Sequence, residues 1–509
     1  MSKRPAADDL HRFDSGKRSH GARDVPIEGH HIRSPPRRRP SFPSYLDAGS
    51  DVPPKVRLLC EIVASANPPS SVERALDDAG IRVSAEDVEA VLKLSYSHPG
   101  AAVAFIQWAG SRHLADRLSP YAWNLVVDLL GKNLLFEGMW DAVRSMRSKG
   151  LLSLATFASI FSSLCTAGRP DDALAAFDTM HLFGVSRDTA ALNSLLSAVC
   201  RDGRVAAGRF FLDRARSSVA PDADSFAILL EGCENDVDHR FAREVFDDMI
   251  ATIGWDPVNV QAYDSFLTTL IQSGSYGLSE ALKFFEKMKQ KRCFPGMKFF
   301  RSAIQTLVEK KDAREALNIW KELIGRNECF PDTSMYNLII TLQCYNNETD
   351  AALRFFDEMI IYGAFPDSQT YNVLLQFFIK GKKLKEAASI FIEMVKNEFC
   401  PTADICASLM NMLLDSKDCE TALKIWNYMA DYGLPSLEET GNRLVLTLRD
   451  LDMLPEACKY AEDMIDRGIK LNSSTLSKLR QSLTKISKGY IHENLLRKWK
   501  SHTQLPLYH

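Results

Sequence analysis

Three columns of residues, locked to one spacing of about 35, limit what this chain can become. Met146, Met180, Met249, Met359, Met394, Met429 and Met464 fall in register, joined by Leu323 and, after a short insertion, Met288. A second column holds small residues: Ala173, Gly208, Ala242, Ala281, Ala316, Ala352, Ala387, Ala422 and Ala457. A third is a break: Pro221, Pro257, Pro295, Pro331, Pro366, Pro401 and Pro435. Self-similarity at a fixed period of this length is the mark of a tandem array. The 509 residues would otherwise suggest about three domains; the period replaces that with one long solenoid.

Each unit reads as two helices. In 368–402 the first is "QTYNVLLQFFIK", closed by Gly381, and the second is "LKEAASIFIEMVKN", closed by the turn at Pro401. Apolar residues recur at helical spacing in both. The small column lets two helices approach closely, and the adaptable methionine fills the gap later in the second helix. A hairpin of this kind cannot bury its apolar faces alone, so neighbours must stack. The units run 120–153, 154–188, 189–222, 223–258, 259–296, 297–332, 333–367, 368–402, 403–437 and 438–472, numbered repeats 1 to 10 below. Repeat 5 carries its excess length in "SGSYGLSE", between its helices.

The flanks differ. Residues 46–119 form a helical N-terminal region, with Ser84 and Asp87 spaced as a helix-start capping box. Residues 473–509 read as a basic tail with one capping helix. Residues 1–45 are rich in Arg, Pro, Ser and His and cannot build a core. They read as a removable targeting segment, although acids come early and Arg37 to Arg39 also suit a nuclear signal.

Charge separates body from ends. Residues 1–45 hold ten Lys/Arg against five Asp/Glu, and 473–509 hold seven against one. With an overall net of −3, the stretch 46–472 carries −14. That is not the footprint of a non-specific nucleic-acid binder, whose affinity comes from neutralising phosphates. No run of 18 apolar residues occurs, so no membrane span is expected. The 11 cysteines never form C-x-x-C and are expected to be buried thiols. There is no H-x-E with C-x-x-C, phosphate-binding Gly-rich loop or H-E-x-x-H pair. No enzymatic activity, cofactor, metal or small-molecule substrate is expected.

"TYNVLLQFFIKGKKLKEAASIFIEMVKNEFCPT" and "MYNLIITLQCYNNETDAALRFFDEMIIYGAFPD" resemble the pentatricopeptide repeat of the plain P class. The likeness runs over roughly 120–472. The W-x2-L-G-x2-Y signature of tetratricopeptide repeats is lacking. The resemblance implies an all-α, α-α superhelical solenoid that binds single-stranded RNA, one base per repeat, in mitochondria or plastids. RNA-processing proteins would be further partners. In the family the fifth residue of a repeat and its last residue choose the base, and an apolar second residue sandwiches it.

Carried onto this chain, Asn124/Ser153 resembles a cytosine reader, and Asn193/Asp222 and Asn337/Asp367 resemble uracil readers. Asn372/Thr402 and Asn442/Asn472 would favour a pyrimidine. The pairs Ala158/Asp188, Ala227/Val258, Asp264/Gly296, Arg301/Asp332 and Ala407/Leu437 depart from the pattern. Tyr121 and Val260 keep the apolar second position; Asp224, Lys298, Ser334, Gln369 and Asp404 do not. Lys132, Arg201 and Lys380, at the ends of first helices, are the candidates for phosphate contact. The expected function is selective RNA binding in organellar RNA metabolism, in the mitochondrion first, with plastid and nucleus as alternatives. A protein-interaction scaffold, nuclear or ribosome-associated, is the competing class, since solenoids present long concave faces.

Overall fold

The computed structural model describes residues 42–47, 52–114, 117–274, 276–325 and 330–503. The basic segment expected at 1–45 lies almost wholly outside them. Among the described residues every regular element is a helix, and no helix is long and apolar enough to cross a membrane.

The chain divides into two compact units, 1–118 and 119–509. The first holds helices Pro54–Ser65, Val72–Ala79, Ala85–Leu94 and Pro99–Arg112, packed around Leu59, Leu76, Val91 and Phe105. The capping box forms: the Asp87 amide donates to Ser84 Oγ at 3.2 Å, and the Ser84 amide donates to Asp87 Oδ2 at 2.8 Å.

The second unit is the array. First helices such as Pro120–Lys132, Leu154–Thr166, Thr189–Arg201 and Ala223–Asp236 pack side by side, each on the next, down to Ser473–Lys485. Second helices such as Leu384–Lys396 and Cys419–Asp431 pack on their own partners and on one another, giving two layers. The columns explain the contact. Every member of the methionine column, Met288 and Leu323 included, has no exposed surface, as do the alanines of the small column. Between the layers, volume is set once per period.

The break column has two jobs. Proline ends the second helix's turn, and the residue after it is the N-cap of the next first helix: Asp222, Asp332, Asp367 and Thr402 each accept the backbone N–H three residues on. The turn inside repeat 8 differs from expectation, whereas Gly168, Gly203 and Gly274 take the left-handed place in repeats 2, 3 and 5. Gly381, read as the closing residue, has φ −80°. The left-handed residue is Lys382, at φ 55°, with Lys311, Asn347, Lys417 and Asp452 equivalent at φ 57–61°. Helix packing on both sides fixes the turn and overrides the preference for glycine.

Residues 473–509 hold two helices, Ser473–Lys485 and Gly489–Thr503, rather than one. Leu495 is buried on the second. Burial pushes the Cys165, Cys200 and Cys233 thiols up to about 12, which leaves them unreactive at neutral pH.

Candidate nucleic-acid interface

The fifth and last residues of a repeat meet at the start of the next first helix. In repeat 7, Asn337 on helix Thr333–Tyr345 donates through Nδ2 to Asp367 Oδ1 at 3.1 Å. The Thr370 hydroxyl, fully buried, accepts the Asp367 backbone N–H at 3.1 Å and donates to Asn337 Oδ1 at 2.6 Å. Asp367 Oδ1 also accepts the Thr370 N–H at 2.9 Å. Repeat 3 repeats this arrangement with other atoms. Asn193 Nδ2 donates to Asp222 Oδ1 at 3.1 Å, and the Ser225 hydroxyl donates to Asn193 Oδ1 at 2.6 Å.

These bonds fix which way each carboxamide faces. The oxygen is turned to the buried hydroxyl and one N–H to the carboxylate. The second N–H and the outer carboxylate oxygen are not used by these contacts. Burial works against ionisation of Asp222 and Asp367, yet the hydrogen bonds from asparagine, hydroxyl and backbone outweigh it and hold both carboxyls below the ordinary 3.8.

The other fifth-position asparagines are placed differently. Asn124 Oδ1 accepts from Thr156 Oγ1 at 2.7 Å, and Thr156 also accepts the Ser153 N–H at 3.4 Å. Asn372 donates to Ser368 Oγ at 3.3 Å, and its Oδ1 is buried with no partner. Buried Ile405 stands where repeats 3 and 7 supply a hydroxyl, and Thr402 caps its amide at 3.4 Å. Asn442 is 5% exposed, and its amide is fully occupied by backbone. It donates to the Glu438 and Lys470 carbonyls at 2.7 and 2.9 Å and accepts the Asn472 N–H at 2.8 Å.

The departing pairs are tied as well. Arg301 pairs with Asp332 through Nη2. Asp264 Oδ1 accepts the Phe299 N–H at 3.0 Å, and a Cβ on Gly296 would come within 2.4 Å of its Oδ2. Burial raises the Asp264 carboxyl above its usual value, against the pull of the Phe299 amide. Its charge therefore costs folding free energy at neutral pH, and that cost disappears as pH falls through the raised value.

The middle of this face is acidic. Asp224, Glu231 and Asp264, with Asn193 and Gln261, line an open pocket of about 630 Å³. The one cation lining it, Lys298, is ion-paired to Glu234. At the second position, Tyr121 in repeat 1 is 49% exposed and Val260 in repeat 5 is 36% exposed. Lys132 is ion-paired within its own helix to Asp128 at 2.7 Å. Arg201 and Lys380 are exposed in the last turns of theirs.

Sequence reasoning passed over the hydroxyls of Thr156, Ser225 and Thr370. A signal was present: a Ser or Thr three residues after the Ser or Asp that starts a helix is the capping spacing.

Residues 121–151, 155–185 and 369–399 match the model of the PPR repeat, and 331–380 matches that of the PPR repeat family. Two mitochondrial pentatricopeptide repeat-containing proteins of Arabidopsis thaliana are similar. One is 30% identical over 33% of this chain and 33% of its own length; the other is 26% identical over 49% and 43%. The chain thus spans less than half the length of either relative. Among solved structures, the pentatricopeptide repeat protein PPR10 in complex with an 18-nt psaJ RNA element is 21% identical, with a TM-score of 0.40 over 87% of this chain and 67% of that one.

Proposed function

We propose that this chain, which carries pentatricopeptide repeats, binds single-stranded RNA selectively, one base per repeat, and takes part in organellar RNA metabolism. The observation that carries the reading is the pair built twice from the same parts, Asn193 with Asp222 and Asn337 with Asp367, each oriented by a buried hydroxyl. A uracil edge offers a carbonyl oxygen beside an N–H. The remaining amide N–H suits the first and the carboxylate the second. Adenine and cytosine present a bare ring nitrogen there, which a carboxylate repels. At Asn124/Ser153 a hydroxyl replaces the carboxylate and can donate to that bare nitrogen, which favours cytosine.

At repeat 8 the resemblance of Asn372/Thr402 to a pyrimidine reader carries the assignment; the Asn372 Oδ1 is buried and leaves its amide N–H groups as the donors to a base. Asn442 has no amide group left to offer, so repeat 10 adds none. The preferred site takes the form 5′-C-N-U-N-N-N-U-Y-N-N-3′, where Y is a pyrimidine. Selection from random RNA on the full chain is expected to enrich U at the places facing repeats 3 and 7. A flat base profile would sink the reading. The acidic centre makes overall affinity modest and only weakly salt-dependent, since few free cations face the RNA.

We place the protein in the mitochondrion, supported by the net basic segment 1–45 and by its similarity to relatives named as mitochondrial. A fluorescent fusion of the full chain is expected in mitochondria, and one lacking residues 1–45 in the cytosol. Plastid or nuclear fluorescence of the full fusion overturns the placement.

A further inference from the structure

Repeat 6 carries neither an asparagine nor a dead residue at its fifth position. Arg301, on helix Met297–Glu309, stands where Asn193 and Asn337 stand, and Asp332 stands where Asp222 and Asp367 stand. The two are joined as those pairs are, donor to carboxylate, through Arg301 Nη2 and Asp332 Oδ2. Asp332 is fixed independently: its Oδ1 accepts the Met335 N–H at 3.0 Å and the Ser334 hydroxyl at 2.7 Å. Both side chains of the pair are half exposed, at 49% and 50%, where Asn337 is 3% exposed. The neighbouring cation on the same helix, Lys298, is taken by Glu234. Arg301 gives one of its five N–H donors to Asp332, which leaves others for a ligand.

We propose that repeat 6 reads a guanine, with Arg301 donating to the base and Asp332 accepting from it; the proposal rests on the base-per-repeat reading above.

Arginine presents five N–H donors in a planar fork, and Asp332 uses one side of it. Guanine offers two adjacent acceptors, O6 and N7, which take the other prongs together. Its N1–H lies beside O6, on the side where Asp332 accepts. Adenine turns an amino donor toward the arginine and a bare nitrogen toward the carboxylate, so both contacts fail. Cytosine fails in the same way. Uracil matches the carbonyl and the N–H but has no N7, so it ranks second.

The experiment measures binding of the full chain to labelled RNAs of the form C-A-U-A-A-X-U-C-A-A, with X each of the four bases. The expected order is G, then U, then A and C, with about tenfold between first and last, the scale of one bidentate base contact. Arg301→Lys keeps the charge but loses the fork and is expected to level the four affinities. Equal affinity for all four X, while U is still preferred opposite repeats 3 and 7, overturns the guanine assignment and leaves the general reading standing. Loss of preference at every position overturns both. An Arg301→Lys protein that keeps the G preference shows that the fork is not the reader and overturns the assignment too.

Discussion

Gly441→Val is expected to unfold the C-terminal repeats while the rest of the array stays folded. Gly441 lies on helix Leu437–Asp450, wedged between the second helices of repeats 9 and 10. A Cβ there would sit 2.5 Å from Trp426 Cη2 and 2.9 Å from Met464 Sδ and Cε. Trp426 and Met464 have no exposed surface, so neither can swing into solvent. Overpacking a close-packed core costs typically 1–3 kcal/mol, and three added carbons at these distances put valine at the upper end, about 3 kcal/mol. In a stacked array each hairpin leans only on its neighbours, so the loss stays local. Hydrogen exchange is the measurement: amides over 437–503 lose protection, while those over 120–330 keep theirs. A single cooperative loss over the whole array would mean the repeats melt as one unit. An unchanged exchange pattern would mean Trp426 and Met464 yield without cost.

What could be read in the sequence, and what could not, divides along the same physical line. The methionine and small columns were legible because the interface between two layers of helices needs a fixed volume at one place per period, and only a few side chains supply it. The turn residues were not. Lys311, Lys382 and Lys417 take φ of 55–61°, a conformation that no lysine announces, because the flanking helices impose it. The helix Gly489–Thr503 was passed over beside Arg497, Lys498 and Lys500, although Ile491, Leu495 and Trp499 recur at helical spacing and Leu495 is buried. At the candidate interface, the fifth and last positions were identifiable by register alone. What each asparagine does there was not, because it depends on a residue about 32 places on. Thr156, Ser225 and Thr370 orient their asparagines; Ile405 leaves Asn372 with an empty acceptor. The last residue is also an N-cap, a role visible only once the helix boundary is known.

That double role decides how the uracil assignment must be tested. Removing the pair in repeat 7 as Asn337→Ala with Asp367→Ala would also remove a helix cap, at a cost of about 1 kcal/mol whatever the RNA. Asn337→Ala with Asp367→Asn is cleaner: the new amide oxygen can still accept the Thr370 N–H, and the carboxylate is gone. The Thr370 hydroxyl keeps an acceptor too, since the oxygen at 367 lies 2.9 Å away. The expected result is a loss of about 1–3 kcal/mol in binding RNA with U opposite repeat 7, and little change with A there. The ratio of the two affinities is the readout, because a loosened hairpin lowers both equally. With Asp367 held below 3.8 by its hydrogen bonds, its contribution is complete at neutral pH and is lost only as pH falls through that lowered value. The wild-type preference for U should therefore be constant between pH 6 and 8. Equal loss on U and A would leave the pair as a tie between repeats and no more. Asn337, at 3% exposed, is buried enough to make that outcome a fair contest: its bonds to Asp367 and Thr370 already account for one amide donor and the acceptor, and only the second N–H remains to meet a base.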